Sequence, residues 1–307
     1  MTSSHPPRPL GASGLKVSPL GVGTNRWGGK LGPRDAVLQT YQAALDTGVD
    51  FFDTAELYTF GKSERLVGEC AAADGREVVL ASKMFPYPTR VTAGQFVKAL
   101  DRSLARTARD TIDLYYLHFP YSTVRIEKVM DVLAKAVKAE KVRAVGVSNF
   151  NVTQLRRAAA ALERHGIPLA ANQVHYSITH RQPETNGVLD ACRELDVALV
   201  AYRPLGGGAI YGDGSAKNGD LLGTVREIAG TPGRTVGQVA LNWLIQRHDN
   251  VIAIPGTTKP DHVRQNADAL SWSLSADELD VSAGRLPGAI LQLGKRRFVR
   301  LVDGSAG

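Results

Sequence analysis

Apolar runs that each stop at a polar or glycyl residue recur along this 307-residue chain at a nearly constant interval. The end points are Gly23, Asp53, Lys83, His118, Ser148, Gln173 and Tyr202, spaced by 25 to 35 residues, and an eighth run, VIAIPG, closes at Pro255. A strand, a loop, a helix and a return loop together use about 30 residues. Eight such units, with the chemically distinctive residue at the same end of every strand, predict an α/β fold of the (β/α)8 TIM-barrel type. The site should then lie at the C-terminal face of the strands.

The intervening segments agree with this reading. LGASGLKVSP predicts a short N-terminal β-hairpin ahead of the first barrel strand. Apolar residues at helical spacing predict helices over PRDAVLQTYQAALDTG and SERLVGECAAA, and around residues 93–108, 127–139, 152–165, 187–195, 220–229 and 235–247. A further helix opens at Asp261. The last segment, LPGAILQLGKRRFVRLVDGSAG, shows no period and is expected to drape over the barrel as a C-terminal tail. A single domain spanning 1–307 is expected, with residues 1–8 and about 300–307 flexible.

Composition narrows the class. Hydrophobic content of 43% and charged content of 22% suit an ordinary globular protein, and no apolar run approaches the ~18 residues of a membrane span. The opening MTSSHPPRPL lacks a charged-then-apolar leader pattern, so a cytoplasmic location is expected. Cys70 and Cys192 share no metal-type spacing with histidine, and no metal site is expected. The net charge of +7 is scattered over helices, which argues against a nucleic-acid footprint and suits an anionic small-molecule ligand.

The ends of the second, third and fourth runs supply Asp53, Lys83 and His118, and the loop after the second adds Tyr58. Singly, each has a plain structural role open to it. Jointly they make a proton donor. A phenol with a pKa near 10 is too weak an acid for work at neutral pH, and an adjacent ammonium lowers that value. Asp53 is placed to keep a buried Lys83 charged, and His118 to hydrogen-bond the oxygen that receives the proton.

The segment DTAELYTFGKSERLVG resembles the aldo-keto reductase pattern of Asp, Tyr five residues on, then Gly-x-Ser-Glu and a helix. VVLASK, IDLYYLHFP, KVRAVGVSNF, ANQVHYS, VAYRPLGGG and IPGTTKPDHVRQNADAL resemble the family in the same order, so the likeness covers roughly residues 10 to 285. GKS alone could suggest a phosphate loop, but the glycine required five positions before Gly61 is Glu56. The resemblance implies that Asp53, Tyr58, Lys83 and His118 are a catalytic tetrad with Tyr58 the general acid. It also implies that Ser148, Asn149 and Gln173 hold a nicotinamide carboxamide while Tyr202 stacks on its ring. The remaining coenzyme contacts it implies are Gly23, Thr24, Asn25, Arg203, Pro204, Leu205, Gly206, Gly256, Thr257, Thr258, Lys259, His262, Gln265 and Asn266. No G-x-G-x-x-G occurs, so a dinucleotide must be held by barrel loops and by the N-terminus of the helix at Asp261.

The chain departs from the family pattern in places. Arg203 follows the stacking aromatic where serine is frequent, and Gly256 and His262 stand where basic residues often read the adenosine 2′-phosphate. Thr257, Thr258 and Lys259 nonetheless favour NADPH over NADH. The segment after the seventh strand is short compared with relatives that fold a longer loop over the coenzyme. Trp27, Phe85 and Phe119, with Tyr121 or Leu291, are expected to line a pocket for a small-molecule carbonyl substrate, and aromatic walls suit aromatic or medium-sized carbonyls. Arg26 and Arg203 could add affinity for an anionic group. The TNRWG start and late SWSLS segment are similar to those of relatives associated with pyridoxal-type aldehydes, but broad aldehyde reduction is the expectation. The rival reading is a coenzyme-sensing regulatory subunit with low turnover. No feature sets an oligomeric state, and a monomer is the working expectation.

Overall fold

Side chains alternate between the two faces of a strand, and that period of two decides which residues of an outwardly uniform apolar run reach the barrel interior. The computed structural model describes residues 6–121, 123–212, 219–230 and 233–280. Two short strands, β1 (Arg8–Pro9) and β2 (Lys16–Val17), pair antiparallel as the expected hairpin. Eight parallel strands follow: β3 (Gly21–Gly23), β4 (Phe51–Asp53), β5 (Val79–Met84), β6 (Ile112–Leu117), β7 (Val142–Ser148), β8 (Leu169–His175), β9 (Ala198–Tyr202) and β10 (Val251–Ile254). Each pairs with its sequence neighbour. The parallel bridges Leu20–Ala253 and Gly23–Gly256, with the amide of Gly23 donating to Pro255 at 3.1 Å, close the ring between first and last.

The helices stand where the apolar spacing puts them, at Arg34–Asp46, Lys62–Asp74, Ala93–Thr107, Ile126–Lys138, Val152–Glu163, Val188–Glu194, Gly219–Ala229, Val236–Arg247 and Pro260–Asp268. Capping boxes at Thr92/Gln95, Asn151/Gln154 and Thr235/Gln238 satisfy the first amides of three of them. Two one-turn helices, Gln182–Thr185 and Ala276–Leu279, have no counterpart in the sequence reading, being too short to show a period. Strand β8 runs two residues past Gln173 because His175 pairs in register with Tyr202. The expected C-terminal tail, with Leu291, lies outside the described residues. Among the described residues, no helix is long and apolar enough to cross a membrane, and no cluster of His, Cys, Asp and Glu could hold a metal ion.

Two apolar layers result. Phe52, Leu80, Met84, Tyr115, Leu117, Val145 and Val147 point outward and pack against the helices. Phe51, Ala81, Leu114, Ala144, Ala171, Val200 and Ile252 fill the lower interior, where the hairpin residues Leu10, Leu15 and Val17 plug the open end. Two residues above that inner layer on the same face come Asp53, Lys83, Tyr116, Gly146, Gln173 and Tyr202. Four of the run ends, Asp53, Lys83, Gln173 and Tyr202, thus share one interior layer toward the C-terminal face, at which barrels place their chemistry.

Candidate active site

Asp53 and Lys83 face one another at the ends of adjacent strands β4 and β5, both almost fully buried. The Lys83 ammonium donates to Asp53 Oδ1, to the carbonyl of Thr54 at 2.8 Å and to Tyr58 Oη at 3.3 Å. It lies 4.8 Å from the centre of the Tyr58 ring. Gln173 Nε2 donates to the second oxygen, Asp53 Oδ2, at 2.7 Å. His118 follows β6, its amide continuing the ladder to Met84 at 3.0 Å, and its ring stands edge-on to Tyr58 with centres 5.9 Å apart. The four residues expected to act together are therefore neighbours at the strand ends.

Burial pushes the Asp53 carboxyl up against the opposing pull of Lys83 and Gln173. The other three residues shift with their surroundings. Burial opposes charge on Lys83, but Asp53 and the Tyr58 oxygen outweigh it and hold the ammonium above the ordinary lysine range. Burial, with a smaller push from Lys83, drops His118 to about 3, so its imidazole is neutral near pH 7. The Tyr58 phenol departs from the sequence expectation. Burial raises its pKa and outweighs the downward pull of Lys83, so the hydroxyl rests protonated, the form a proton donor needs.

The expected coenzyme residues ring this centre on two sides. Ser148 Oγ donates to the carbonyl of Gln173 at 2.9 Å. Asn149 Nδ2 donates to Ser148 Oγ and to the carbonyl of His118, while its Oδ1 accepts from Tyr202 Oη at 3.0 Å. Tyr202 is half-buried and stacks on His175 behind it, ring centres 5.5 Å apart. Beyond it, Arg203 is exposed at φ 49°, Pro204 is buried, and Leu205 and Gly206 are half-buried. Gly207 and Gly208 then lie bare, with positive φ and room where a side chain would stand, so backbone can approach a phosphate closely. On the other side, Gly23, Asn25, Gly256, Thr257, Thr258 and Lys259 lead into the helix Pro260–Asp268, whose first turn has no side-chain cap. His262 and Gln265 are exposed and Asn266 half-buried on its first turns. Bare glycines and an uncapped helix start are what a pyrophosphate or 2′-phosphate requires, so these residues fit a dinucleotide.

Two of the expected contact residues have fully buried side chains. Trp27 is fully buried in the layer between barrel and helices, tilted against Phe52, with its indole N–H donating to the carbonyl of Thr257 at 2.8 Å. It supports the loop from within that layer. The Thr24 side chain is likewise fully buried, its hydroxyl donating to the carbonyl of Asp53 at 2.9 Å and lying 2.7 Å from Ser63 Oγ. By contrast Phe85 and Phe119 are half-exposed beside His118. Phe119 stacks on it at 4.9 Å and 16°, Tyr121 stacks on Phe119, and Phe85 meets both His118 and Phe119 edge-on. An aromatic wall runs from Tyr58 and His118 to the surface. Arg26 is exposed.

Several residues that the sequence reading missed hold these loops. Glu56 and Arg90, both nearly buried, pair at 2.7 Å and join the loops after β4 and β5, and Thr123 donates to the carbonyl of Arg90. Ser63 ties Thr24 to Thr54, and the fully buried Glu64 accepts from Ser82 at 2.6 Å and pairs with Arg106. The Gly-x-Ser-Glu spacing was the available signal for Ser63 and Glu64. Nothing in the local pattern marks Glu56 and Arg90, because their partners are 34 positions apart.

Residues 19–282 match the model of the family described as "Aldo/keto reductase family". Pyridoxal reductase, chloroplastic, from Arabidopsis thaliana is 34% identical over 317 residues, covering 91% of this chain and 86% of that protein. A thermostable aldo-keto reductase, Tm1743, solved with the inhibitor epalrestat, superposes with a TM-score of 0.81 at 30% identity, covering 92% of this chain and 100% of that one. An aldo/keto reductase from Klebsiella pneumoniae in complex with NADP and acetate gives 0.75 at 31% identity over 89% of this chain and 94% of that one.

Proposed function

The chain belongs to the aldo/keto reductase family and is an NAD(P)H-dependent oxidoreductase; on that premise we propose that it reduces aldehydes and ketones to alcohols with NADPH, Tyr58 acting as general acid. The observation that carries this reading is the Tyr58 hydroxyl held 3.3 Å from a buried, Asp53-paired Lys83 beside a neutral His118. When bound, the nicotinamide supplies a hydride to the carbonyl carbon. Everything else is done by side chains. Asn149, Ser148, Gln173 and Tyr202 orient the nicotinamide ring, and the Gly206–Gly208 and Gly256–Asn266 segments take the phosphates and adenosine. Tyr58 and His118 donate hydrogen bonds to one carbonyl oxygen. As negative charge grows there, the Tyr58 proton moves onto it, and the phenolate left behind is stabilised by the adjacent Lys83 ammonium. The substrate lies along Phe85, Phe119 and Tyr121, which suits aromatic aldehydes, and the Arabidopsis likeness makes pyridoxal a substrate to include.

The test is NADPH oxidation at 340 nm with 4-nitrobenzaldehyde and with pyridoxal, for the native chain and Tyr58→Phe. Loss of turnover by about 10² to 10⁴ in the variant, with NADPH binding retained, supports the reading. Tight binding with negligible turnover in the native chain favours a coenzyme sensor instead.

A further inference from the structure

The turn that carries Tyr58 is built in an unfavourable conformation. Thr59, Phe60 and Gly61 follow it with φ of 46°, 56° and 78°, three successive left-handed residues of which only the last is glycine. A β-branched side chain crowds its own backbone in that region and adopts it only when the surroundings hold it there. The hold is visible. The Thr59 hydroxyl donates to the carbonyl of Trp27 at 2.7 Å and accepts from the amide of Ser63 at 3.1 Å. It therefore spans the reversal between Tyr58 and the helix Lys62–Asp74 and ties both to the loop after β3.

Tyr58 has direct contacts of its own. Its hydroxyl meets Lys83 at 3.3 Å, its amide donates to Ala55, and its ring lies edge-on to His118. The tie also continues outward. Trp27, fully buried, donates its indole N–H to the carbonyl of Thr257, and the Thr257 hydroxyl accepts from the amide of Lys259, the residue that opens the helix Pro260–Asp268. One line of hydrogen bonds runs from the turn of the acid to the segment assigned above to the coenzyme phosphates.

We propose that Thr59 is a positioning residue for Tyr58, held by its two hydrogen bonds in a conformation the turn would otherwise leave, and that Trp27 anchors this restraint to the Thr257–Lys259 segment. The proposal rests on Tyr58 being the general acid. Thr59 touches no reacting atom; it acts through the backbone that places the phenol.

Thr59→Gly separates this role from a merely structural one, because glycine relieves the left-handed strain while deleting the tie. A positioning role predicts that kcat for 4-nitrobenzaldehyde falls by about tenfold or more while the melting temperature is unchanged or higher. Aldehyde KM and NADPH affinity should stay within about twofold, since a displaced acid weakens the reaction step more than binding. Thr59→Ser, which keeps the hydroxyl, should restore most of the native kcat, and Thr59→Val should not. Trp27→Phe, which removes the indole N–H and keeps a ring, should lower kcat and weaken NADPH binding together. A Thr59→Gly enzyme with native kcat overturns the proposal, as does a Ser variant no better than Val. If Tyr58→Phe turns over like the native chain, it is the acid assignment that has failed. Native turnover lost in Tyr58→Phe but kept in Thr59→Gly rejects the positioning role alone.

Discussion

Gln173 Nε2 lies 2.7 Å from Asp53 Oδ2, joining strands β8 and β4 across the barrel mouth. Lys83 holds the other oxygen, so both acceptors of a carboxylate that is 1% exposed are satisfied. A residue expected to serve the nicotinamide is thus also bonded to the charge pair beside Tyr58. Gln173→Leu would leave Oδ2 buried and unpaired, at a cost of about 1–3 kcal/mol. Denaturant unfolding should show that loss, and kcat should drop along with it as the Lys83–Asp53 pair loosens. Unchanged stability would mean the Asp53 carboxylate does not depend on the amide.

His118 makes the acid stability of the protein pH-dependent in a defined direction. Its ordinary value is 6.5 and burial lowers it to about 3, with Lys83 adding to the shift. Between those values the unfolded chain binds a proton that the native state excludes. The stabilisation is therefore complete above pH 6.5 and is lost as pH falls toward 3, by up to about 1.4 kcal/mol per pH unit. His175 and His248, each lowered to about 4 chiefly by burial, act in the same sense and remain in a His118→Asn variant. Urea unfolding at pH 7 and pH 5 should show a smaller loss in that variant than in the native chain. Equal losses would place the His118 ring in solvent.

The strand ends were legible because burial on both faces leaves the runs uniformly apolar until they reach the mouth, where polar residues become tolerable. That rule locates Asp53, Lys83, Ser148, Gln173 and Tyr202, and with them the pocket. It does not say which oxygen of Asp53 takes which partner, because Lys83 comes from the adjacent strand and Gln173 from the opposite side of the ring. The burial of Trp27 was not legible for a related reason: its position after the first strand fits either a pocket wall or the layer under the loop. The tie through Thr59 was invisible, since a left-handed threonine carries no signature in a pattern of residue types. The sign of the Tyr58 shift was missed because spacing shows the neighbouring cation but not the depth of burial that opposes it.

Gly146 on β7 is required by a ring. A Cβ built there would stand 2.4 Å from Tyr116 Cδ1, and Tyr116 is fully buried beneath the Lys83 ammonium, 5.8 Å from its ring centre. The interior at this level has no room for both side chains, so Gly146→Ala should destabilise by about 1–3 kcal/mol. Tyr116→Leu opens space at the same point. In a thermal-unfolding double-mutant cycle the pair should therefore cost less than the two single changes added together. Additive costs would mean that the ring and the glycine do not compete for this volume.

Coenzyme choice should depend on Lys259. It is exposed, it immediately precedes the uncapped start of the helix Pro260–Asp268, and its amide is fixed by the Thr257 hydroxyl. A cation beside free helix-terminal amides favours a phosphate doubly, by charge and by hydrogen bonding. NADPH carries a phosphate on the adenosine ribose that NADH lacks, so removing the charge should penalise only the former. Lys259→Ala should weaken NADPH binding by about tenfold, equivalent to about 1.4 kcal/mol, while changing NADH affinity by less than about twofold. Fluorescence titration with both coenzymes measures this directly. If both affinities fall alike, Lys259 reads the shared pyrophosphate, and any preference for NADPH must come from Thr258, His262 or Arg264 on the same stretch. The exposed His262 and the Arg264–Asp261 pair then become the next positions to substitute, since they flank the same helix start.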